Sequence, residues 1–314
     1  MTDDIDAAYF RHMVPAGTTV GIVAPGGYAP DEVVLAQGIA NLEAQGCIVK
    51  LFFDPADKFQ RFAATDAARA QQLVDAARDP DVQIVMALRG AYGMSRILPL
   101  LDFKALADSD KLFVGYSDIT ALHLGLLAQQ QTISFAGPML YGDFGAQQLS
   151  AFTLRSFWRT VTSNAQTIAV HAEGNPEVAT SGLLWGGNLA MIVHLLGTPY
   201  FPYVDGGILF VEDVNEHPYR VERMLLQLAH AGVLEHQKAV ILGDFSRYRL
   251  TDYDNGYDAA AMLDYLRATL PVPVLTGLPF GHIADRVTLP VGAHAELTSD
   301  AEGFALTVTG YPRL

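Results

Sequence analysis

The chain has 314 residues, half of them apolar, with 20 Lys and Arg against 34 Asp and Glu and a formal net charge of −14. That is core enough for one large or two ordinary domains without covalent staples, and an acidic balance with no basic run excludes nucleic acid as a partner. The single cysteine, Cys47, excludes an intrachain disulfide and a multi-cysteine metal site, and no run of about 18 apolar residues is present to span a membrane.

The start, MTDDIDAAYFRHM, is acidic and lacks the basic head and apolar core of a secretory signal, so a cytoplasmic protein is expected. Strand and helix signals then alternate. TTVGIVAPGG reads as a buried strand ending in a glycine turn, and 31–46 as a helix with Leu35, Ile39 and Leu42 on one face. IVKLFF is the next strand, with Cys47 at its edge as a small buried hydrophobe. Thr65 caps the helix TDAARAQQLVDAARD, and DVQIVMAL is a strand running into the loop RGAYG. After the short helix MSRILPLL come strand KLFVGYS, helix DITALHLGLLAQQ and strand TISFAG. Short apolar strands separated by helices imply a mainly parallel, doubly wound sheet.

This rhythm weakens from Pro138 to about Pro176, although LSAFTLRSFWRTV is helical in pattern. A second series follows: helix GGNLAMIVHLLG, strand GILFVED, helix YRVERMLLQLAHAG, strand KAVILGDF, helix DAAAMLDYLRATL and strand PVLTGL. The tail alternates apolar and polar residues in two runs joined by 300–303, the pattern of an antiparallel hairpin. The expected architecture is α/β in two domains. Residues 10–143 form an N-terminal, mainly parallel, doubly wound domain; 144–176 connect; 177–314 form a C-terminal α/β domain with a β-rich end.

The glycines of GIVAPGG do not fit G-x-G-x-x-G, no glycine loop is followed by GK[ST], and the nine histidines show no H-E-x-x-H spacing. No metal and no organic cofactor are expected. Ser117 stands on the turn between a parallel strand and its helix, at the sheet end that faces a binding crevice. It is either a helix N-cap or a nucleophile, because the N–H groups beside it suit a cap and an oxyanion equally. A serine nucleophile needs a base and an orienting acid. Glu212 and Asp213 follow a strand with His217 close behind, and His282 lies in a glycine-flanked turn after another. Periodicity does not choose among them. His123 and His194, inside apolar helices, read as packed.

Six segments, ALRGAYGMSRILPLLD, GYSDITALHLGLL, LLWGGNLAMIVHLLGTPY, ILFVEDVNEHPYRVERMLLQLAHAG, AVILGDF and PFGHIADRVTLPVGAHAEL, together resemble the serine LD-carboxypeptidases, from about Val20 to the C-terminus. The resemblance implies a triad of Ser117, Glu212 and His282, with oxyanion donors from the N–H of Asp118 and from the loop 89–93, at Gly90 or Ala91. That loop is RGGYG in the family, and Ala91 replaces its second glycine here, which matters if the position needs positive φ. The implied reaction is hydrolysis of the amide between meso-diaminopimelate and a terminal D-alanine in murein tetrapeptides, free or sugar-linked, in peptidoglycan recycling. An alternative within the family is cleavage of peptidyl- or aminoacyl-nucleotide antibiotics. The resemblance also implies a homodimer. Arg89 is the first candidate to read a substrate carboxylate, with Arg220, Arg223 and Arg286 behind it, and Trp185 is a candidate to stack on substrate or simply to pack.

Overall fold

The computed structural model describes residues 6–314, so the first five residues of the acidic start lie outside the described residues. In chain order the first part contains β1 (Thr19–Val23), α1 (Glu32–Ala44), β2 (Ile48–Leu51), α2 (Asp66–Arg78), β3 (Ile84–Ala87), α3 (Met94–Ile97), α4 (Phe103–Ala107), β4 (Leu112–Gly115), α5 (Thr120–Gln130) and β5 (Ser134–Ala136). After α6 (Ala151–Thr162) come β6 (Ala165–His171), β7 (Val178–Asn188), α7 (Leu189–Leu195), β8 (Gly207–Glu212), α8 (Pro218–His230) and β9 (Gln237–Leu242). The chain finishes with α9 (Ala259–Thr269), β10 (Val274–Thr276), β11 (Leu289–Val291), β12 (His294–Asp300) and β13 (Gly303–Thr309).

Two sheets result. The first has the order β11-β5-β4-β3-β1-β2. Its strands are parallel except β11, which runs antiparallel to β5. Strands β1, β3 and β4 are buried at every position, which is why they read as unbroken apolar runs. Asp31 and Thr65 cap α1 and α2 through their side chains. Cys47 is buried, and burial pushes its thiol up to about 12, away from reactivity.

The second sheet has the order β10-β9-β8-β7-β12-β13-β6. It is parallel from β10 to β7 and antiparallel from β7 to β6. Here the expected boundaries need correction. The stretch 144–176 is more than a connection, because β6 within it pairs with β13 as the outer strand of this sheet. Residues 289–291, expected in the C-terminal domain, form β11 and pair with β5 of the first sheet. The segment GGNLAMIVHLLG is not helical from its start: Gly186, Gly187 and Asn188 are the last residues of β7, and α7 begins at Leu189, capped by the Asn188 side chain. Strand β7 pairs antiparallel with β12 over 178–183 and parallel with β8 over 184–188. Its burial changes character midway, so no single periodicity marks it.

Inside the first domain, His123 is fully buried on α5. Its Nε2 lies 2.8 Å from the Gly115 carbonyl, an acceptor, so Nε2 carries the proton and Nδ1 accepts from the Ser134 hydroxyl at 2.8 Å. This bond ties the C-terminal end of β4 to α5. Beyond that end the backbone turns sharply: Ser117 has φ 63° and Ala91, in the neighbouring loop after β3, has φ 66°. Left-handed backbone costs an L-residue about 1–2 kcal/mol.

Burial holds the His123 pKa down to about 4, so the fold favours its neutral form. Between that value and about 6.5 the unfolded chain binds the extra proton, and stability rises with pH. Urea unfolding is expected to lose roughly 3 kcal/mol from this group as pH falls through that window, and a His123→Gln variant is expected to lack this component of the slope. Ala91→Gly is expected to raise stability by about 1 kcal/mol, since glycine adopts the left-handed region without a Cβ clash. An unchanged or lower urea midpoint would contradict strain at that position.

Candidate active site

Strand β4 delivers Ser117 to the turn between the sheets, partly buried and with no helix-capping bond from its side chain. Gly90 faces it across the neighbouring loop. A Cβ at Gly90 would stand 2.9 Å from Ser117 Oγ and 3.4 Å from Asp118 N, so only glycine leaves that space open above the serine. The Gly90 carbonyl accepts the Gly27 N–H at 3.1 Å. Within that planar peptide the N–H of Ala91 therefore points away from Gly27. Asp118, next in sequence, turns its carboxylate inward to accept the Met94 N–H at 2.8 Å, and burial pushes its pKa up to about 7.

The other two residues come from the second sheet and the segment that leaves it. Glu212 ends β8 and is fully buried. His282 lies on the segment that runs from β10 in the second sheet to β11 in the first, so the chain carries it across the interface between them. Its Nδ1 is 2.8 Å from Glu212 Oε2 and its Nε2 is 3.1 Å from Ser117 Oγ. A carboxylate only accepts, so Nδ1 carries the proton and Nε2 is left to accept from the serine hydroxyl. Such a chain can take a proton from the serine and hold the imidazole in the needed tautomer.

The imidazole is walled on one side. The Tyr116 ring meets it edge-on at 5.2 Å between centroids, and the Arg286 guanidinium lies 4.1 Å above the Tyr116 ring. Arg286 in turn pairs with Asp143 at 2.7 Å, and both are buried. A cleft of ≈ 340 Å³ opens beside His282, lined by Tyr116, Asp143, Ser150, Arg247 and Arg286 among others.

The remaining candidates divide clearly. His217 caps α8 with Nδ1, which accepts from Tyr219 N, while Nε2 pairs with Asp254 at 3.0 Å, so it is committed elsewhere. Trp185 is 0 % exposed, and its indole N–H donates to Gln237 at 2.7 Å, so of its two readings, stacking on substrate or packing, it is packing that this structure displays. Arg89 is half-buried beside the loop of Gly90, over the Tyr141 ring at 5.3 Å and within 3.4 Å of the Tyr28 carbonyl. Arg220 pairs with Glu216 on the surface of α8. Residue-by-residue reading passed over Asn188, whose Nδ2 donates to Glu212 at 3.2 Å, and the Asp143–Arg286 pair. The asparagine had a signal in its place ahead of a helix; the ion pair had none. Among the described residues no group of three or more His, Cys, Asp or Glu is arranged to hold a metal ion.

Residues 20–137 match the LD-carboxypeptidase N-terminal domain and residues 181–297 the C-terminal domain. A probable murein peptide carboxypeptidase of Bacillus subtilis is 31% identical, the match covering 94% of this chain and 92% of that protein. A putative carboxypeptidase of Streptomyces coelicolor is 35% identical over 90% of this chain and 91% of its own. The crystal structure of muramoyltetrapeptide carboxypeptidase from Oxalobacter formigenes superposes with a TM-score of 0.91 at 52% identity, covering 94% of this chain and all of that one. Domains matched in order at both ends, and relatives matched along nearly their whole length, place this chain in the LD-carboxypeptidase family.

Proposed function

We propose that this carboxypeptidase is of the serine type and hydrolyses the L,D amide between meso-diaminopimelate and the terminal D-alanine of murein tetrapeptides, in peptidoglycan recycling in the cytoplasm and as a homodimer. The observation that carries the serine reading is the continuous hydrogen-bonded chain from Ser117 through His282 to fully buried Glu212. The names of the similar proteins, a murein peptide carboxypeptidase and a muramoyltetrapeptide carboxypeptidase, support the substrate class.

In this reading Ser117 Oγ attacks the carbonyl of the scissile amide while His282 Nε2 takes its proton. Glu212, out of water, stabilises the imidazolium that forms, and the imidazolium then protonates the leaving amine of D-alanine. Water repeats the sequence on the acyl-enzyme. The oxyanion is held by the N–H of Asp118 together with an N–H of the Gly90–Ala91 turn, each donor contributing about 100- to 1000-fold in rate. Left-handed backbone at Ser117 lifts the hydroxyl out of the line of β4 and toward His282. Arg89, beside that turn, is the cation assigned to the substrate's free carboxylate, offsetting at short range the repulsion of a chain of net charge −14. Cleavage of nucleotide-linked peptides would draw on an aromatic ring open to a purine, and Trp185, the indole considered for stacking, is buried.

Mass spectrometry of products from L,D- and D,D-linked muropeptides is expected to show D-alanine released from the L,D bond, and D,D cleavage alone would overturn the assignment. Ser117→Ala is expected to lose at least about 1000-fold in turnover, and undiminished turnover would remove the serine from the mechanism. Arg89→Met is expected to lower kcat/KM roughly 10- to 100-fold on the free acid. A substrate amidated at the terminal carboxyl is expected to lose much less, and equal losses on both would show that Arg89 does not read the carboxylate.

A further inference from the structure

Glu212 and Asp213 are adjacent and both buried. Buried carboxylates need donors, and two side by side need them all the more. One residue serves both. Asn188 is the register partner of Glu212 in the parallel ladder between β7 and β8, so the two side chains leave the same face of the sheet together. Its Nδ2 donates to Glu212 Oε1 at 3.2 Å and to Asp213 Oδ1 at 3.0 Å. An amide nitrogen carries two hydrogens, one for each acid.

The same residue is fixed in two further directions. Its Oδ1 accepts the Met191 N–H at 3.2 Å and caps α7, while Asp213 Oδ2 accepts the Ala190 N–H at 2.9 Å beside it. Its backbone N–H crosses to the first domain and donates to Thr120 Oγ1 at 3.0 Å, three residues after Ser117. Gly187 permits that approach, since a Cβ there would stand 2.5 Å from Thr120 Oγ1. Asn188 is 7 % exposed, so water does not substitute for these partners.

We propose that Asn188 is a positioning residue that holds the Glu212–His282 pair in register with the Ser117 turn. It acts through Glu212 on one side and Thr120 on the other, and makes no bond to Ser117 or His282. Aspartate has its shape but lacks the two donors, and serine caps a helix but offers one donor on a shorter arm. The inference rests on the peptidase reading above.

Asn188→Asp and Asn188→Ser both retain an oxygen that caps α7, which separates the capping role from the donor role. In each, kcat for D-alanine release is expected to fall roughly 10- to 100-fold with KM held within about twofold, the pattern of displaced catalytic groups rather than lost binding. The rate at which a fluorophosphonate labels Ser117 is expected to fall by a similar factor. Labelling needs the nucleophile and its base but not the natural substrate. Wild-type protein that labels yet releases no D-alanine would therefore sink the substrate reading, and the labelling rates of the variants would still decide the role of Asn188. Cooperative thermal unfolding establishes that each variant is folded. Should neither fold, Thr120→Val removes only the acceptor of the Asn188 N–H and is expected to slow labelling at least about threefold. Wild-type labelling rates in the folded Asn188 variants, or in Thr120→Val if it alone folds, would overturn the proposal.

Discussion

A single hydrogen bond, 3.1 Å from His282 Nε2 to Ser117 Oγ, joins a residue at the end of one sheet to a residue on the segment leaving the other. Its length is set by how the two sheets are held together, because neither partner sits on an element shared with the other. Strand β11 supplies part of that hold. After β10 the chain abandons the second sheet, passes the site with His282, and pairs with β5 as the antiparallel edge of the first. Strand β7 supplies another part, with Gly187 and Asn188 at its end lying against Thr120, and α5 also packs against α7. The site lies among these contacts between the domains, and its geometry follows from them together.

The electrostatics of the site follow from the same enclosure. Glu212, Asp213, Asp118 and Asp143 are all buried. Each meets a donor: Glu212 has His282 and Asn188, Asp213 has Asn188 and Ala190, Asp118 has Met94, and Asp143 has Arg286. Desolvation nonetheless raises the pKa values of Asp118, Asp143 and Asp213. A polar network in such surroundings is directional and has few alternative arrangements, which fixes the imidazole and the turn beside it. Backbone strain is placed in the same region, at Ser117 and Ala91, where the chain must present a hydroxyl and leave room above it.

Much of this was legible in the sequence. The strands and helices of the first domain were readable because each buried parallel strand is a short apolar run, and because α1 and α2 carry polar faces and side-chain caps at Asp31 and Thr65. Strand β7 was not, since half of it lies in an antiparallel neighbourhood and half in a parallel one. Strand β6 has no clear local signature, because its pairing partner, β13, lies over 130 residues away and a half-exposed edge strand has a weak pattern. The family resemblance assigned Glu212 and His282 to the triad, whereas spacing alone left Asp213 and His217 as equal candidates.

By itself the sequence determined the fold class, the positions at which strands end, and the residue types able to act there, because these depend on local periodicity, capping and turn chemistry. The tertiary structure decided which of those strand ends meet. It brought His282 rather than His217 to Ser117, since His217 is held by α8 and Asp254 while His282 rides the crossing segment. It buried Trp185, put Ala91 in left-handed backbone, and made Asn188 a neighbour of both acids. Each of these is a relation between segments far apart in the chain, fixed by sheet order and packing, and no local pattern encodes it.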